Sequence, residues 1–346
     1  MKIFVVRLGR YSYRWRPREA GVCVALTLLG LILATLLLGI GTLALTPAEV
    51  LDSLLGTGTD VAAQRVVLRV RLPRVLTAGF VGAALGMAGS IFQSISRNVL
   101  GSPDVIGFTT GAASGAIAQI VLVDAGPLWT SLAAVLSGIA TAGLVLLLSH
   151  WRPMGGGYRL VLVGIGVGAT LAGVNAIMMV MGNLDRAASA QIWLAGSLNT
   201  RTWAHVVPAA LGFLLIAPVA VRHASRIDLL ELGDDAAKQL GVAVQGTRAT
   251  MVLCAVTLTA IATAAAGPIA FVALAGPQLA RRLTLSPDVP LLSAAAMGSV
   301  LLLAADLLSR RLPVDLNLPI GLVTGLLGGF YLLWLLCRDK RIRAVS

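Results

Sequence analysis

Nine apolar stretches run through the chain at roughly 21–45, 74–96, 107–124, 127–149, 159–182, 204–221, 249–280, 290–309 and 319–337, parted by short polar segments. This pattern limits the fold more than any other feature. A bilayer span needs roughly 20 apolar residues, and inside the bilayer every backbone polar group must be bonded within the protein, which favours helices. Only 12% of the 346 residues are charged and 57% are hydrophobic, against about 25% charged in soluble domains. A soluble globular fold is excluded. The net charge of +12 does not point to nucleic acid, because Lys and Arg lie in short clusters between apolar runs, as topology signals and headgroup contacts do.

The seventh stretch is too long for one span and carries Gly267-Pro268 in its middle. Proline removes a backbone donor and glycine weakens a helix, so a break is expected there. The count becomes ten. With the N-terminus inside, the inner segments hold 19 of the 27 Lys and Arg: six in residues 1–19, one in 97–106, two in 150–159, four in 222–248, two in 281–288 and four in 338–346. Nine helices would strand the basic tail outside, against the positive-inside rule. The expected fold is all-α and polytopic, a single membrane domain over 1–346 of ten helices with both termini cytoplasmic. Residues 1–20 form an inner tail, and the first helix is retained because its core is too long for a signal peptide.

Six of the eight outer charges fall in two clusters, "LRVRLPR" at 68–74 with Arg65 before it, and "SRR" at 309–311. They are either arginines anchored to headgroups at helix ends or a docking surface for an acidic partner, since arginine forks bind carboxylates bidentately.

Glycines three or four apart, as at Gly82, Gly86 and Gly89, Gly107, Gly111 and Gly115, and Gly321, Gly325 and Gly329, let helix backbones approach closely. The inner turn at Asn98, Gly101, Pro103 and Asp104 starts the third helix. The long inner loop 222–248 contains "GDDAAKQLG", a short helix with Gly233 or Asp234 at its N-cap, Asp234 and Asp235 in its first turn and Gly241 at its end. Cys23, Cys254 and Cys337 and the three histidines are dispersed, so no disulfide framework or metal site is expected. "PMGGGYR" lacks the lysine and hydroxyl of a phosphate loop, so no ATP hydrolysis by this chain is expected. A secondary transporter would need intramembrane acids, for which Asp306 is the candidate. A membrane enzyme would need clustered polar groups within the spans, and none is evident.

The strings "RLPRVLTAGFVGAALGMAGSIFQSISRNVLGSPDVIGFTTGAASGA", "LELGDDAAKQLGV", "GPIAFVALAGPQLARRL" and "LPIGLVTGLLGGFYLLWLL" together resemble the FecCD-type permeases. These are membrane subunits of ABC importers for ferric siderophores, haem and vitamin B12. The resemblance runs from about residue 20 to the end. It implies the type II ABC importer fold and a multi-pass protein of the bacterial cytoplasmic membrane. It also implies a second permease subunit, identical or not, two cytoplasmic ATPases that supply ATP-driven alternating access, and an external substrate-binding protein. No cofactor or metal is implied on the permease itself. By the same resemblance Arg71, Arg74, Arg310 and Arg311 dock the binding protein. Leu230, Gly233, Asp234, Asp235, Ala236, Ala237 and Gly241 contact the ATPase, and Gln93, Asn98, Leu100 and Pro103 belong to the inner gate. The chain departs from the family pattern at Val99, usually Pro, at Gln278, usually His, and at Asn317, commonly an acid. "WLAGSLN" and "GPQLARRLT" are most similar to permeases for catecholate siderophores, so a ferric siderophore is the expected cargo, with vitamin B12 or haem as the alternative within the family.

Overall fold

The computed structural model describes residues 4–8, 11–41, 43–58, 60–103, 107–124, 126–150, 156–311 and 318–343. Asp104 and Asn317 lie outside the described residues. A two-stranded antiparallel hairpin, β1 Phe4–Leu8 and β2 Tyr11–Trp15, pairs Phe4 with Trp15. It adds a small sheet to the expected all-α chain. Every secondary-structure element after it among the described residues is a helix.

Helix α1, Pro17–Gly39, starts on a proline, which suits a first turn whose N–H groups lack partners. The short α2, Pro47–Leu55, follows on a capping box: the Thr46 side chain accepts from the Glu49 amide, and the Glu49 carboxylate accepts from the Thr46 amide. Helix α3, Val61–Val66, passes through a π turn, Val67–Arg71, directly into α4, Leu72–Ser96. The second span is therefore one helix of 36 residues, Val61–Ser96, starting well before the expected position 74. Pro73 explains the π turn. Its ring would clash with the carbonyl of Arg69 in a regular helix, and widening the preceding turn, with Leu72 N–H donating to Val67 O, relieves the clash without breaking the rod.

Helix α5, Phe108–Ala118, ends in a second π turn, Gln119–Val123. Then come α6 Pro127–His150, α7 Gly156–Met181, α8 Leu184–Leu194 and α9 Trp203–Arg222. The inner loop forms α10, Ala224–Glu231, and α11, Asp234–Gln239. Helix α12, Val244–Ala266, stops at Gly267, whose φ of 73° is open to glycine at no steric cost. After an extended passage the chain re-enters helix as α13, Val272–Thr284, followed by α14, Leu291–Arg311, and α15, Ile320–Arg343. The break expected at Gly267-Pro268 is thus present.

Seven helices among the described residues are long and apolar enough to cross a membrane: those at Pro17–Gly39, Val61–Ser96, Pro127–Ser149, Arg159–Met181, Trp203–Arg222, Val244–Ala266 and Leu291–Arg311. Phe108–Val123 and Ile320–Trp334 are apolar but shorter, and α13 is shorter still. The centre of the bundle is α4 against α12, α13 and α14. A Cβ added at Gly82 would strike the Gly298 carbonyl, one at Gly86 the Ala294 carbonyl, and one at Gly89 the Ala273 carbonyl. Backbone-to-backbone approach of this kind is how small residues hold membrane helices together where lipid offers no hydrophobic drive.

Candidate functional site

Two polar clusters lie at opposite ends of this central block. The first is built around Asp306 of α14, whose side chain has no exposed area. Arg74 places Nη2 at 2.6 Å and Nε at 3.2 Å from Asp306 Oδ1, and gives Nη1 to Asn199 Oδ1 at 2.5 Å. Arg310, one turn after Asp306, reaches Oδ2 at 3.2 Å. Its other amino group donates to the Leu37 and Ile40 carbonyls at 3.4 Å. Arg71 donates to Leu38 O at 2.6 Å and also to Leu43 O.

The carbonyls of Leu37 and Leu38 lie in the last turn of α1, and those of Ile40 and Leu43 just beyond it. A helix leaves its last carbonyls without internal partners and carries negative potential there, and α1 has no basic residue in its own last turn. Arg71 and Arg310 supply the missing donors from neighbouring helices.

Three of the four arginines assigned to docking are therefore largely withdrawn from solvent. Arg71 is 5% exposed, and the Arg74 and Arg310 side chains keep only 21% and 16% of their area. A buried carboxylate and the end of a helix compete for their donors. The exposed cations of these two stretches are Arg65, Arg69 and Arg311. Asp306 is held between two guanidinium groups, which is the arrangement of a structural ion network and not of an open proton or sodium relay.

At the other end of the block, α4 finishes at Arg97 in the left-handed region, φ 49°. The turn beyond it is closed by Asn98, whose Oδ1 accepts the Leu100 amide at 2.9 Å and whose carbonyl accepts the Gly101 amide at 2.8 Å. Asn98, Val99 and Leu100 are exposed while Gly101, Ser102 and Pro103 are buried. Gln93 is buried and donates to Leu274 O at 2.9 Å. Gln278 of α13 donates to Val99 O at 2.7 Å and accepts from the Tyr331 hydroxyl at 3.2 Å. Two of the departures from the family pattern, Val99 and Gln278, are thus in direct contact.

The inner loop packs as one unit. Leu230 and Ala237 are buried with Val242 and Val244, and Gly233 precedes α11 at φ 119°, a conformation closed to other residues. Asp234 begins α11, Ala236 is half-buried, and Asp235, Leu232, Leu240 and Gly241 face outward. Burial works against ionisation of Asp234, but the Arg248 hydrogen bond and charge, with those of Arg97, hold its carboxyl below the usual range. Asp228, on α10, is pushed up to about 6 by burial, opposed by the Val289 amide at 2.7 Å and reinforced by Asp288 and Glu231.

Where α12 breaks, a cavity of about 350 Å³ opens, lined by Thr109, Thr110, Pro268, Ile269, Ala270 and Gly321 among others. Irregular backbone at membrane depth is tolerated where it lines a cavity. Among the described residues no group of three or more His, Cys, Asp or Glu could hold a metal ion.

Comparison with known proteins accounts for this layout. The sequence profile of the FecCD transport family matches residues 26–338. The chain is 45% identical over 301 residues to the ferric enterobactin transport system permease protein FepG of Escherichia coli K12, covering 87% of this chain and 91% of that protein. It is 36% identical to the achromobactin transport system permease protein CbrC of Dickeya dadantii, covering 98% and 97%. A solved structure described as an inward-facing conformation of a metal-chelate type ABC transporter superposes with a TM-score of 0.83 at 29% identity, covering 92% of this chain and 99% of that one. With a central glycine-packed block, the loop 222–248 folded as a unit and a profile match over nearly its whole length, the chain belongs to the FecCD transport family.

Proposed function

We propose that the chain is the permease subunit of an ABC importer that carries a ferric siderophore across the bacterial cytoplasmic membrane. The observation that carries this reading is the 45% identity to the ferric enterobactin permease over 87% of the chain. The bundle is read as ten spans with both termini cytoplasmic, from seven long helices, three shorter ones and the 19 basic residues on the inner side. Cysteine placed at position 185 should then label from outside, and at 343 only after permeabilisation; external labelling at 343 would overturn the topology.

The subunit works with a second permease, two ATPase subunits and an external binding protein. ATP is bound and hydrolysed by the ATPases, and the segment from Leu230 to Gly241 receives their motion. The gate is the turn that carries Asn98, Leu100 and Pro103, with Gln93 behind it. Arg311 is an exposed charge of the outer surface, with Arg65 and Arg69, and Arg74 and Arg310 keep enough exposure to form its inner rim. Arg71 holds the end of α1 behind them. Rim charges act mainly on association rate and are weakened by salt. Arg311→Glu should therefore slow association of the binding protein several-fold at low salt, and an unchanged rate would remove Arg311 from the docking surface.

The whole reading is tested by reconstituting the complex in liposomes and measuring ATP-dependent uptake of radioactive iron as ferric enterobactin, ferric citrate and haem. Siderophore uptake is expected. Uptake of haem alone, or of none of the three, would refute it.

A further inference from the structure

Arg97 occupies a position that local chemistry would give to glycine. It is the residue after the last turn of α4, at φ 49° and ψ 35°, and the Asn98 amide returns to Gln93 O at 3.1 Å. This is the αL helix end where glycine is usual because a Cβ is penalised. The Arg97 side chain reaches out of the turn. Nε donates to Leu230 O at 3.1 Å, at the end of α10, and Nη2 is bonded to the Asp234 carboxylate, at the start of α11. Asp234 is gripped a second time by Arg248 of α12, at 2.9 and 3.1 Å.

These are partly open groups, with 43% of the Arg97 side chain and 28% of the Asp234 side chain exposed. Ion pairs of this exposure add little stability. Stability alone therefore favours glycine at 97, and the arginine has another use. It joins the exposed turn at Asn98–Leu100 to the segment around α10 and α11, which is packed as a unit. On its far side the same turn is tied to α13 by Gln278 and Val99, and α10 is tied to α13 by Glu231 with Arg281.

We propose that Arg97 is a positioning residue that links the ATPase-contacting segment to the inner gate, with Asp234 as its anchor. A displacement of α10 and α11 by the ATPase is passed through the guanidinium to the turn at 98–100 and not dissipated in a flexible loop. The proposal rests on the reading of Leu230–Gly241 as the ATPase contact, so its test must separate the two.

The test uses the full importer in proteoliposomes, with ferric enterobactin as the probe and iron imported per ATP hydrolysed as the readout. Arg97→Gly removes the link while easing the backbone, so the folded permease should be at least as stable as the parent and should still co-purify with the ATPase. Iron imported per ATP should nevertheless fall about tenfold. Arg97→Lys, which can hold Asp234 but not Leu230 O as well, should recover part of the loss, and Asp234→Asn should add little to Arg97→Gly. A purely structural role would lower stability and leave the ratio alone. Parental coupling in Arg97→Gly would overturn the proposal. The underlying reading is checked by Leu232→Asp with Leu240→Asp, at two exposed apolar positions. Loss of ATPase co-purification there, beside parental coupling in Arg97→Gly, would sink the link and spare the reading. An ATPase that still binds and drives uptake in the Leu232 and Leu240 variant would sink both.

Discussion

Asp306 offers the sharpest quantitative test, because one buried carboxylate holds two cations, one of which, Arg310, also serves the end of α1. Replacing it by alanine leaves Arg74 with only Asn199 as a side-chain partner, and Arg310 with the long contacts to Leu37 and Ile40. Removing one member of a buried pair costs about 3–5 kcal/mol, because the remaining charge stays desolvated. Here the arginine side chains keep 21% and 16% of their area open, so water recovers part of that cost, and about 2–4 kcal/mol is expected for Asp306→Ala. That is roughly a 30- to 900-fold change in the folded fraction ratio. Denaturation of the purified permease by SDS in mixed micelles, followed by tryptophan fluorescence, reads it directly. If the network is real, Asp306→Asn and Arg74→Gln should be non-additive by about 1–3 kcal/mol, since the second change removes a charge already deprived of its partner. A loss below about 0.5 kcal/mol for Asp306→Ala, with additive double mutants, would show that the network contributes nothing and that the arginines are free for other partners.

Two further expectations follow from the same geometry. Asp228 binds its proton more tightly folded than unfolded, with a pKa raised from the model-compound value of 3.8 to about 6. Its ionisation therefore costs stability above pH 6, and that cost is relieved as the pH falls from 6 towards 4. Asp228→Asn, which keeps an acceptor for the Val289 amide, should raise the unfolding midpoint at pH 7.5 and flatten its dependence between about pH 4 and 6; an equally steep profile in the variant would clear Asp228 of the effect. Gly86→Ala should abolish recovery of monodisperse permease because its Cβ meets a backbone carbonyl, while Gly79→Ala, with nothing within 4 Å, should be tolerated. Equal yields from both would contradict the close crossing of α4 and α14.

Much of this architecture was legible because its signals are local. Apolar runs are a property of consecutive residues, so the long spans and the Gly267-Pro268 break could be read directly. The same holds for the short helix at 234–239, which is announced by the glycine before it and the acids in its first turn. The start of the second span was not legible, because arginines and Pro73 look like loop residues until a π turn absorbs the proline. Helix α2 was missed although Thr46 and Glu49 spell a capping box. Its nine residues are too few for a span, the roughly 20-residue length by which apolar runs are recognised. The partners of the arginines could not be read at all. Arg74 meets Asp306 across 232 positions, and the carbonyls that occupy Arg71 have no side-chain signature. Sequence alone identified a basic outer cluster, but which of its charges are spent inside the protein is a tertiary property.

The distribution of ion pairs and glycines suggests how the central block transmits force. The apolar windows of Val61–Ser96, Val244–Ala266 and Leu291–Arg311 are 83%, 67% and 61% buried, against 17% for Pro17–Gly39 and 11% for Arg159–Met181. The buried trio and α13 touch through glycine and alanine backbone, where interiors are too closely packed to deform continuously. Along α4 the polar ties to its neighbours concentrate at the two ends: Arg74 with Asp306 at the first, and Gln93 and Arg97 with α13, α10 and α11 at the last. A rod welded in the middle and pinned at its ends moves as a piece. Force applied to the inner loop then has two places to be taken up, the turn after Arg97 and the extended passage between Gly267 and Phe271. Both are interruptions of helix within the block, and the second lines the cavity. If the segment Leu230–Gly241 receives the ATPase motion, as proposed, that motion meets the cavity through backbone that is already out of helical register.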